Sequence, residues 1–139
     1  MTAVQIRPVE TRRDRHVFLT MPWRVYRHDP MWVPPILSER ARAIDPQQGV
    51  WFQRGTAECF IAWRGRHALG TISAATDTHA DRLHASPECV FGFFECVDDE
   101  AVASAMFDHL KEWAIQREIH ALRGPFNLSY EDSYGVLIE

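Results

Sequence analysis

The chain has 139 residues, 46% of them hydrophobic and 24% charged, which suits one soluble domain with one core. Its formal charge of −4 argues against a general nucleic-acid role. No apolar run approaches the roughly 20 residues that a bilayer-spanning helix needs. The first residues also lack the apolar segment of a signal peptide. We therefore expect neither nucleic acid nor membrane as a partner.

The first half of the chain predicts a strand followed by two helices. Val4 and Ile6 alternate with polar residues, which indicates a short strand. Apolar side chains then recur at helical spacing over residues 10–28, with Pro22 as a kink or break. A second short helix is expected over residues 36–44, followed by a loop.

The second half begins with the pattern of a three-stranded meander. Strands are predicted over residues 57–63 and 68–75, joined by a turn at Gly65, and over residues 88–97. The segment 77–87 between the last two is expected to be a long polar connection. On the third strand, strict alternation places one set of side chains opposite another: Val90, Gly92 and Phe94 against Phe91, Phe93 and Glu95.

A long helix follows the meander, and its first turn is acidic. Asp98 or Asp99 is the expected N-cap, and the helix is predicted to reach about His120. One apolar stripe runs along it: Val102, Met106, Leu110, Trp113 and Ala114. A short strand at 121–123 and an apolar run at 136–138 complete the chain. This order predicts an α+β fold with a mixed, mostly antiparallel sheet flanked by helices.

The junction between the third meander strand and the long helix is the most informative segment for function. Helix N-termini at such junctions often hold phosphate, because free N–H groups and the helix dipole point there. A phosphate site also needs glycines for close approach and often a Lys or Arg. This junction instead carries Asp98, Asp99 and Glu100.

The order of elements and four short motifs resemble the acyl-CoA N-acyltransferase (GNAT) superfamily. The motifs are Phe18–Tyr26, Asp29–Pro35, Phe91–Glu95 and Gly124–Asn127. Together they are similar to a bacterial branch of that superfamily whose members are usually more than twice this length. The resemblance covers nearly the whole chain. It implies a GNAT-like fold, with acetyl-CoA or another acyl-CoA as the acyl donor of an active member.

The resemblance also locates the segment that binds the diphosphate of coenzyme A in ordinary members. That segment is basic and glycine-rich, and its counterpart here is a degenerate loop: Asp98, Asp99, Glu100, Ala101, Val102 and Ala103. Carboxylates would face phosphates, and Ala101 and Ala103 restrict the backbone where glycine permits close approach. We therefore expect the usual mode of coenzyme A binding to be lost or badly weakened, and no cofactor.

Ordinary members continue with a further helix and a two-stranded hairpin, which this sequence lacks. We expect residues 1–139 to form a single GNAT-like domain, the N-terminal portion of a longer protein. The exposed strand edge predicts either a homodimer, through residues 136–139 or another edge, or a separate C-terminal partner domain. Three cysteines without paired spacing favour a cytoplasmic location: Cys59, Cys89 and Cys96.

Several residues are candidates for chemistry. Glu95 lies where GNAT enzymes often place a general base, but a carboxylate that supports the helix terminus or a neighbouring Arg is the favoured interpretation. Cys96 is more readily explained by packing than as a nucleophile. Four residues are candidate ligand contacts: Phe94, Asn127, Tyr130 and Tyr134. A loop carrying Asp77, His79, Asp81 and His84 matches no standard metal spacing, so no metal site is expected.

Three functions remain open from the sequence. The leading hypothesis is a degenerate acyltransferase-like domain with a binding or structural role. The second is an active N-acyltransferase that transfers an acyl group from acyl-CoA to an amine, with Glu95 as base. The third is a dimerisation module.

Overall fold

The computed structural model describes residues 2–129 and 135, which build one mixed sheet with helices on both faces. The strands are β1 Gln5–Pro8, β2 Gly55–Arg64, β3 His67–Asp77, β4 Cys89–Cys96 and β5 Leu122–Arg123. The helices are α1 Arg12–Val25, α2 Leu37–Ala43, α3 Thr78–His84 and α4 Glu100–Ile115, with a 3₁₀ helix at Val50–Gln53. The strands pair in chain order, antiparallel except for β4 and β5, which are parallel. The expected α+β class with a mostly antiparallel sheet is therefore confirmed.

Helix α1 begins at a capping box and ends before the predicted boundary. The Thr11 hydroxyl accepts a hydrogen bond from the Asp14 N–H at 3.0 Å, and the Asp14 carboxylate accepts one from the Thr11 N–H at 3.0 Å. Pro22 lies in the last turn without breaking the helix. Phe18 and Met21 are fully buried, so this face packs α1 onto the sheet.

The sheet separates two apolar clusters. The cluster on the α1 side contains Phe18, Met21, Trp51, Ile61, Val90 and Phe93. The cluster on the α4 side contains Phe60, Ile72, Val102, Met106, Leu110 and Trp113. All five residues of the predicted α4 stripe are buried, which confirms that pattern. Helix α4 itself ends at Ile115 rather than near His120.

A bulge in β4 makes the predicted strict alternation wrong. Thr71 pairs with Glu95 while Ser73 pairs with Gly92, so β4 has one residue more than β3 over this interval. Phe93 takes up the extra residue with φ of 48°, and its carbonyl accepts a hydrogen bond from the Thr71 hydroxyl at 2.7 Å. Consequently Val90 and Phe93 share the α1 face, whereas Phe91 and Phe94 face α4.

The segment expected to be a polar connection contains helix α3. The Asp77 carboxylate caps this helix by accepting hydrogen bonds from the N–H groups of His79 and Ala80, at 3.0 and 3.1 Å. The same carboxylate lies 3.5 Å from Arg54 Nε. Asp77 therefore has a structural role.

The predicted apolar run at 136–138, together with Tyr130 and Tyr134, lies outside the described residues.

Candidate functional site

A cleft of about 780 Å³ separates the C-terminal end of α1 from the β4–α4 junction. Its floor is mainly apolar and includes Met21, Leu69, Phe94 and Val97. Its charged residues form two groups: Arg24, Arg27 and His28 at the end of α1, and Asp98, Asp99 and Glu100 at the junction. The predicted acidic loop and the predicted contact Phe94 therefore lie in one cleft.

The Asp99 carboxylate occupies the N-terminal end of α4. It accepts a hydrogen bond from the Ala101 N–H at 3.0 Å and one from the Arg64 guanidinium at 2.9 Å. The Asp99 carbonyl accepts from the N–H groups of Val102 and Ala103 at 3.1 and 3.3 Å. The Arg64 hydrogen bond, supported by the Ala101 amide, holds the pKa of Asp99 below its usual value, so the carboxylate is ionised at neutral pH.

These contacts make the junction a poor fit for a diphosphate. A phosphate at this helix end would have to displace Asp99 from the Ala101 amide and take over its guanidinium partner. It would then lie beside two further exposed acids, Asp98 and Glu100. The negative charges of a phosphate and of a neighbouring carboxylate would repel each other. The expectation drawn from the acidic sequence therefore has a specific geometric basis in Asp99.

The edge of β4 beyond its pairing with β5 is covered by the segment that follows β5. Phe126 donates its N–H to the Phe91 carbonyl at 2.7 Å, and the Asn127 side-chain oxygen accepts from the Phe93 N–H at 2.8 Å. Gly92 permits this approach, since a Cβ there would lie 1.7 Å from the Phe126 carbonyl oxygen. Backbone groups that an extended ligand would need for strand-like pairing with β4 are thus already paired.

Glu95 is directed to the α1 side of the sheet, where it contacts Tyr26. The Tyr26 hydroxyl interacts with the Glu95 carboxylate, and this interaction lowers the pKa of Glu95. The Oε2 atom of Glu95 is buried and has no hydrogen-bond partner among the described residues. Burial raises the pKa of Glu95, against the lowering effects of Tyr26 and Arg40. A carboxyl with a raised pKa can exchange protons near neutral pH more readily than an ordinary one.

The candidate ligand contacts are separated in the structure. Phe94 lines the cleft and packs on Phe107, with 5.2 Å between the ring centroids. Asn127 instead lines a smaller cavity of about 100 Å³ beside Arg40 and Phe93. Tyr130 and Tyr134 lie outside the described residues, so their predicted role is untested. The partnership of Tyr26 with Glu95 had no signal in the sequence.

The cysteines and the polar loop add no further chemistry. Burial first, and then Asp99 and Asp98, raise the pKa of Cys96 to about 11, which disfavours the nucleophilic thiolate. Among residues 2–129 and 135, no group of three His, Cys, Asp or Glu side chains is arranged to hold a metal ion. The interpretation of Cys96 as a packing residue is therefore favoured.

Two solved structures share this architecture. One is a predicted acetyltransferase from Clostridium acetobutylicum, solved with acetyl-CoA, which matches 86% of this chain and 79% of its own at a TM-score of 0.61 and 15% identity. The other is FeeM, an N-acyl amino acid synthase from uncultured soil microbes, which matches 88% of this chain and 70% of its own at a TM-score of 0.57 and 16% identity.

The chain has a GNAT-like acyltransferase fold. The resemblance inferred from the sequence motifs is therefore confirmed for the fold.

Two curated relatives also match nearly the whole sequence. Bacterial ceramide synthase from Caulobacter vibrioides is 33% identical over 137 residues, which are 94% of this chain. Protein YghO from Escherichia coli K12 is 25% identical over 139 residues, or 96% of this chain. The chain spans about a third of the length of each relative, 34% in both cases. No family model matches the sequence.

Proposed function

We propose that the chain is an acyltransferase-like domain with a binding or supporting role, and that it does not take up coenzyme A at the β4–α4 junction. The observation that carries the proposal is the Asp99 carboxylate, held 3.0 Å from the Ala101 amide nitrogen and 2.9 Å from Arg64. An anion of the chain itself already uses the groups that would attract a phosphate. Asp98 and Glu100 add negative charge beside it.

The covered edge of β4 supports the same proposal independently. The Phe91 carbonyl and the Phe93 N–H are paired with Phe126 and Asn127. A ligand that pairs with this edge would first have to displace residues 126–127, which lie against Gly92 without room for a side chain. The chain thus fills with its own residues two regions on which an acyl-CoA would rely.

We further propose that the domain works with additional polypeptide, as the N-terminal portion of a longer protein. The length of the curated relatives supports this, since the chain matches about a third of each. One of them is named a ceramide synthase, and a ceramide is the amide of a long-chain amino alcohol. Amide formation on such an amine, carried out by another part of the protein, is the whole-protein activity that we propose.

Calorimetric titration with acetyl-CoA tests the proposal. We expect no saturable heat with the wild-type chain into the millimolar range. The matched variant Asp98→Asn/Asp99→Asn/Glu100→Gln removes the charges while it keeps the size of each side chain, and it should gain weak binding. Micromolar affinity of the wild-type chain for acetyl-CoA would contradict the proposal.

An active N-acyltransferase is the second candidate, and the half-buried Glu95 favours it. Its raised pKa and its contact with Tyr26 suit a group that accepts a proton from an amine. This candidate predicts release of free thiol from an acyl-CoA in the presence of an amine, with loss of the reaction in Glu95→Gln. Thiol release from acyl-CoA and an amine by the wild-type chain, without additional polypeptide, would favour this candidate over the leading proposal.

A further inference from the structure

The connection between α1 and α2 exposes an unusual number of apolar side chains. Seven large hydrophobic side chains are exposed in the described part of the chain, and four of these lie within residues 31–37. Their exposed fractions are 84% for Met31, 82% for Val33, 61% for Ile36 and 40% for Leu37. We call residues 31–37 the apolar loop. Exposed apolar side chains grouped within so short a segment mark an interaction surface more often than isolated residues do.

The apolar loop is held in place from beneath. The Met31 N–H donates to the Asp29 carboxylate at 2.9 Å, which closes a tight turn at the start of the loop. The Trp32 ring stacks on Tyr26 at 5.5 Å and meets Trp23 edge-on at 5.4 Å. Three prolines restrict the backbone further: Pro30, Pro34 and Pro35. The outward side chains are therefore presented by a rigid base, which lowers the entropic cost of docking.

The flank that leads into the apolar loop is basic. Arg24, Arg27 and His28 are exposed and lie on the wall of the cleft next to the loop. The acidic residue among them, Asp29, accepts the Met31 hydrogen bond within the turn. Beyond the loop, the exposed Glu39 on α2 is followed by the exposed Arg42. Positive charge thus stands beside exposed aliphatic groups in a chain whose net charge is −4.

We propose that the apolar loop docks on an anionic membrane surface, with its aliphatic side chains among the lipid headgroups and acyl chains and its arginines on the phosphates. Apolar side chains next to Arg are the chemistry of interfacial binding, and Trp and Tyr at the base suit the boundary between water and lipid. A stable protein interface takes roughly 20–30 residues a side, whereas the apolar loop offers seven, so a membrane fits it better than a flat protein surface.

This proposal concerns the surface of the bilayer and not its interior. No helix within residues 2–129 has the length and apolar character to cross a membrane. The sequence-based expectation of no membrane partner rested on that same criterion, which does not apply to an interfacial loop. The proposal is also independent of coenzyme A, so its test has a separate readout from the calorimetric titration.

Vesicle co-sedimentation with the 139-residue chain tests it, using equimolar phosphatidylglycerol and phosphatidylcholine. We expect the wild-type chain to bind these vesicles and to bind pure phosphatidylcholine much less. Met31→Ser/Val33→Ser should reduce binding at least tenfold. Arg24→Gln and Arg27→Gln should each reduce it about fivefold, since one interfacial Arg contributes roughly 1 kcal/mol. The control Ile115→Ser, which removes an exposed apolar side chain from α4, should bind like the wild type.

Three results would overturn the proposal. The first is failure of the wild-type chain to sediment with the anionic vesicles. The second is an equal loss of binding in Ile115→Ser and in the loop variant. The third is sedimentation velocity showing a dimer that Met31→Ser/Val33→Ser dissociates, because the loop would then dock on a second copy of the chain. All substituted side chains are exposed, so loss of folding does not confuse these outcomes.

Discussion

Arg64 Nη2 lies 2.9 Å from Asp99 Oδ2, which joins the last residue of β2 to the N-cap of α4. The two side chains are 35 residues apart in the sequence and both are partly exposed. Because Asp99 is also the N-cap of α4, one carboxylate completes the helix end and binds a cation of the sheet. The negative charge of Asp99 at the junction therefore has a structural role, as helix cap and as ion-pair partner.

Replacement of Asp99 by Ala is the first prediction. The variant loses the cap of α4 and the partner of Arg64, so its melting temperature should be lower than that of the wild type. The control is Asp98→Ala, which removes the exposed neighbouring carboxylate, and its melting temperature should change much less. Equal effects of the two substitutions would contradict the role assigned to Asp99.

The effect of Asp99→Ala has a predicted pH dependence. The pKa of Asp99 is lowered in the folded state, so its contribution to stability is present above the ordinary value of 3.8 and is lost as the pH falls through the folded value. The difference in melting temperature between the wild type and Asp99→Ala should therefore be constant near neutral pH and shrink in acid. Thermal unfolding followed by circular dichroism at a series of pH values measures it.

Local patterns in the sequence predicted most of the elements, whereas long-range contacts determined the exceptions. The α4 stripe at Val102, Met106 and Leu110 follows from helical periodicity. The spacing of apolar residues alone is enough to predict which face of this helix is buried. The bulge at Phe93 involves hydrogen bonds with the Thr71 hydroxyl of β3 and with Asn127, in the segment after β5. The local sequence of β4 therefore does not predict it. Helix α3 has only seven residues and no buried side chain, which leaves no periodicity to detect.

In the candidate site, too, local patterns were predictable and long-range contacts were not. The acidic N-terminus of α4 is a local pattern, and Asp99 is one of its two predicted caps. The partners that give these residues their properties come from distant segments: Arg64 for Asp99 and Tyr26 for Glu95. Asn127 is expected at a ligand site because it belongs to a polar cluster that follows a predicted strand end. Its contact with the Phe93 N–H exists only because β5 brings it beside β4.

Gly92→Ala is predicted to destabilise the chain strongly. The added Cβ would lie 1.7 Å from the Phe126 carbonyl oxygen, so either β4 or the segment 124–128 must shift. Overpacking against backbone should lower the free energy of unfolding by about 2 kcal/mol or more. A Cβ on Gly65, in the turn between β2 and β3, meets no atom within 4 Å. Gly65→Ala should cost only about 1 kcal/mol, from its φ of 61°.

Chemical denaturation of both glycine variants measures the difference. Hydrogen exchange adds a local readout, because the Phe93 N–H should lose protection in Gly92→Ala if the segment 124–128 moves away from β4. Similar unfolding free energies for the two variants would show that the segment after β5 is not packed on β4 as described.

Glu95→Gln is predicted to stabilise the chain at neutral pH. Burial raises the pKa of Glu95, so the stability that its neutral form provides is present below the ordinary value of 4.5 and is lost as the pH rises through the folded value. Gln stays neutral at every pH and keeps an oxygen for the Tyr26 hydroxyl. The variant should match the wild type in acid and be more stable than the wild type at neutral pH.

Tyr26→Phe is the companion of that experiment. Loss of the hydroxyl removes the donor that favours the charged form of Glu95, so the folded pKa of Glu95 should rise further. Destabilisation by Tyr26→Phe should therefore be greater at neutral pH than in acid, and it should be smaller in the Glu95→Gln background. An effect of Tyr26→Phe that is independent of both pH and residue 95 would argue against the hydrogen bond.

The cysteines are predicted to be slow to alkylate in the folded chain. Burial raises the pKa to about 12 for Cys59 and to about 11 for Cys89 and Cys96. At pH 8 a thiol with a pKa of 11 is ionised in about one molecule in a thousand, and the thiolate is the reactive form. Iodoacetamide should therefore modify all three at least tenfold more slowly in the folded chain than in denaturant. Mass spectrometry of digested samples follows each site.

Asp98→Asn distinguishes charge from burial at these thiols. Asp98 contributes to the raised pKa of Cys96 but not to that of Cys89, for which burial is the only raising effect. The substitution should accelerate alkylation of Cys96 while the rate at Cys89 stays the same, because one negative charge fewer makes the thiolate less costly. Rapid labelling of Cys96 in the wild type would contradict the packing interpretation, since a reactive thiolate on the cleft wall could act as a nucleophile.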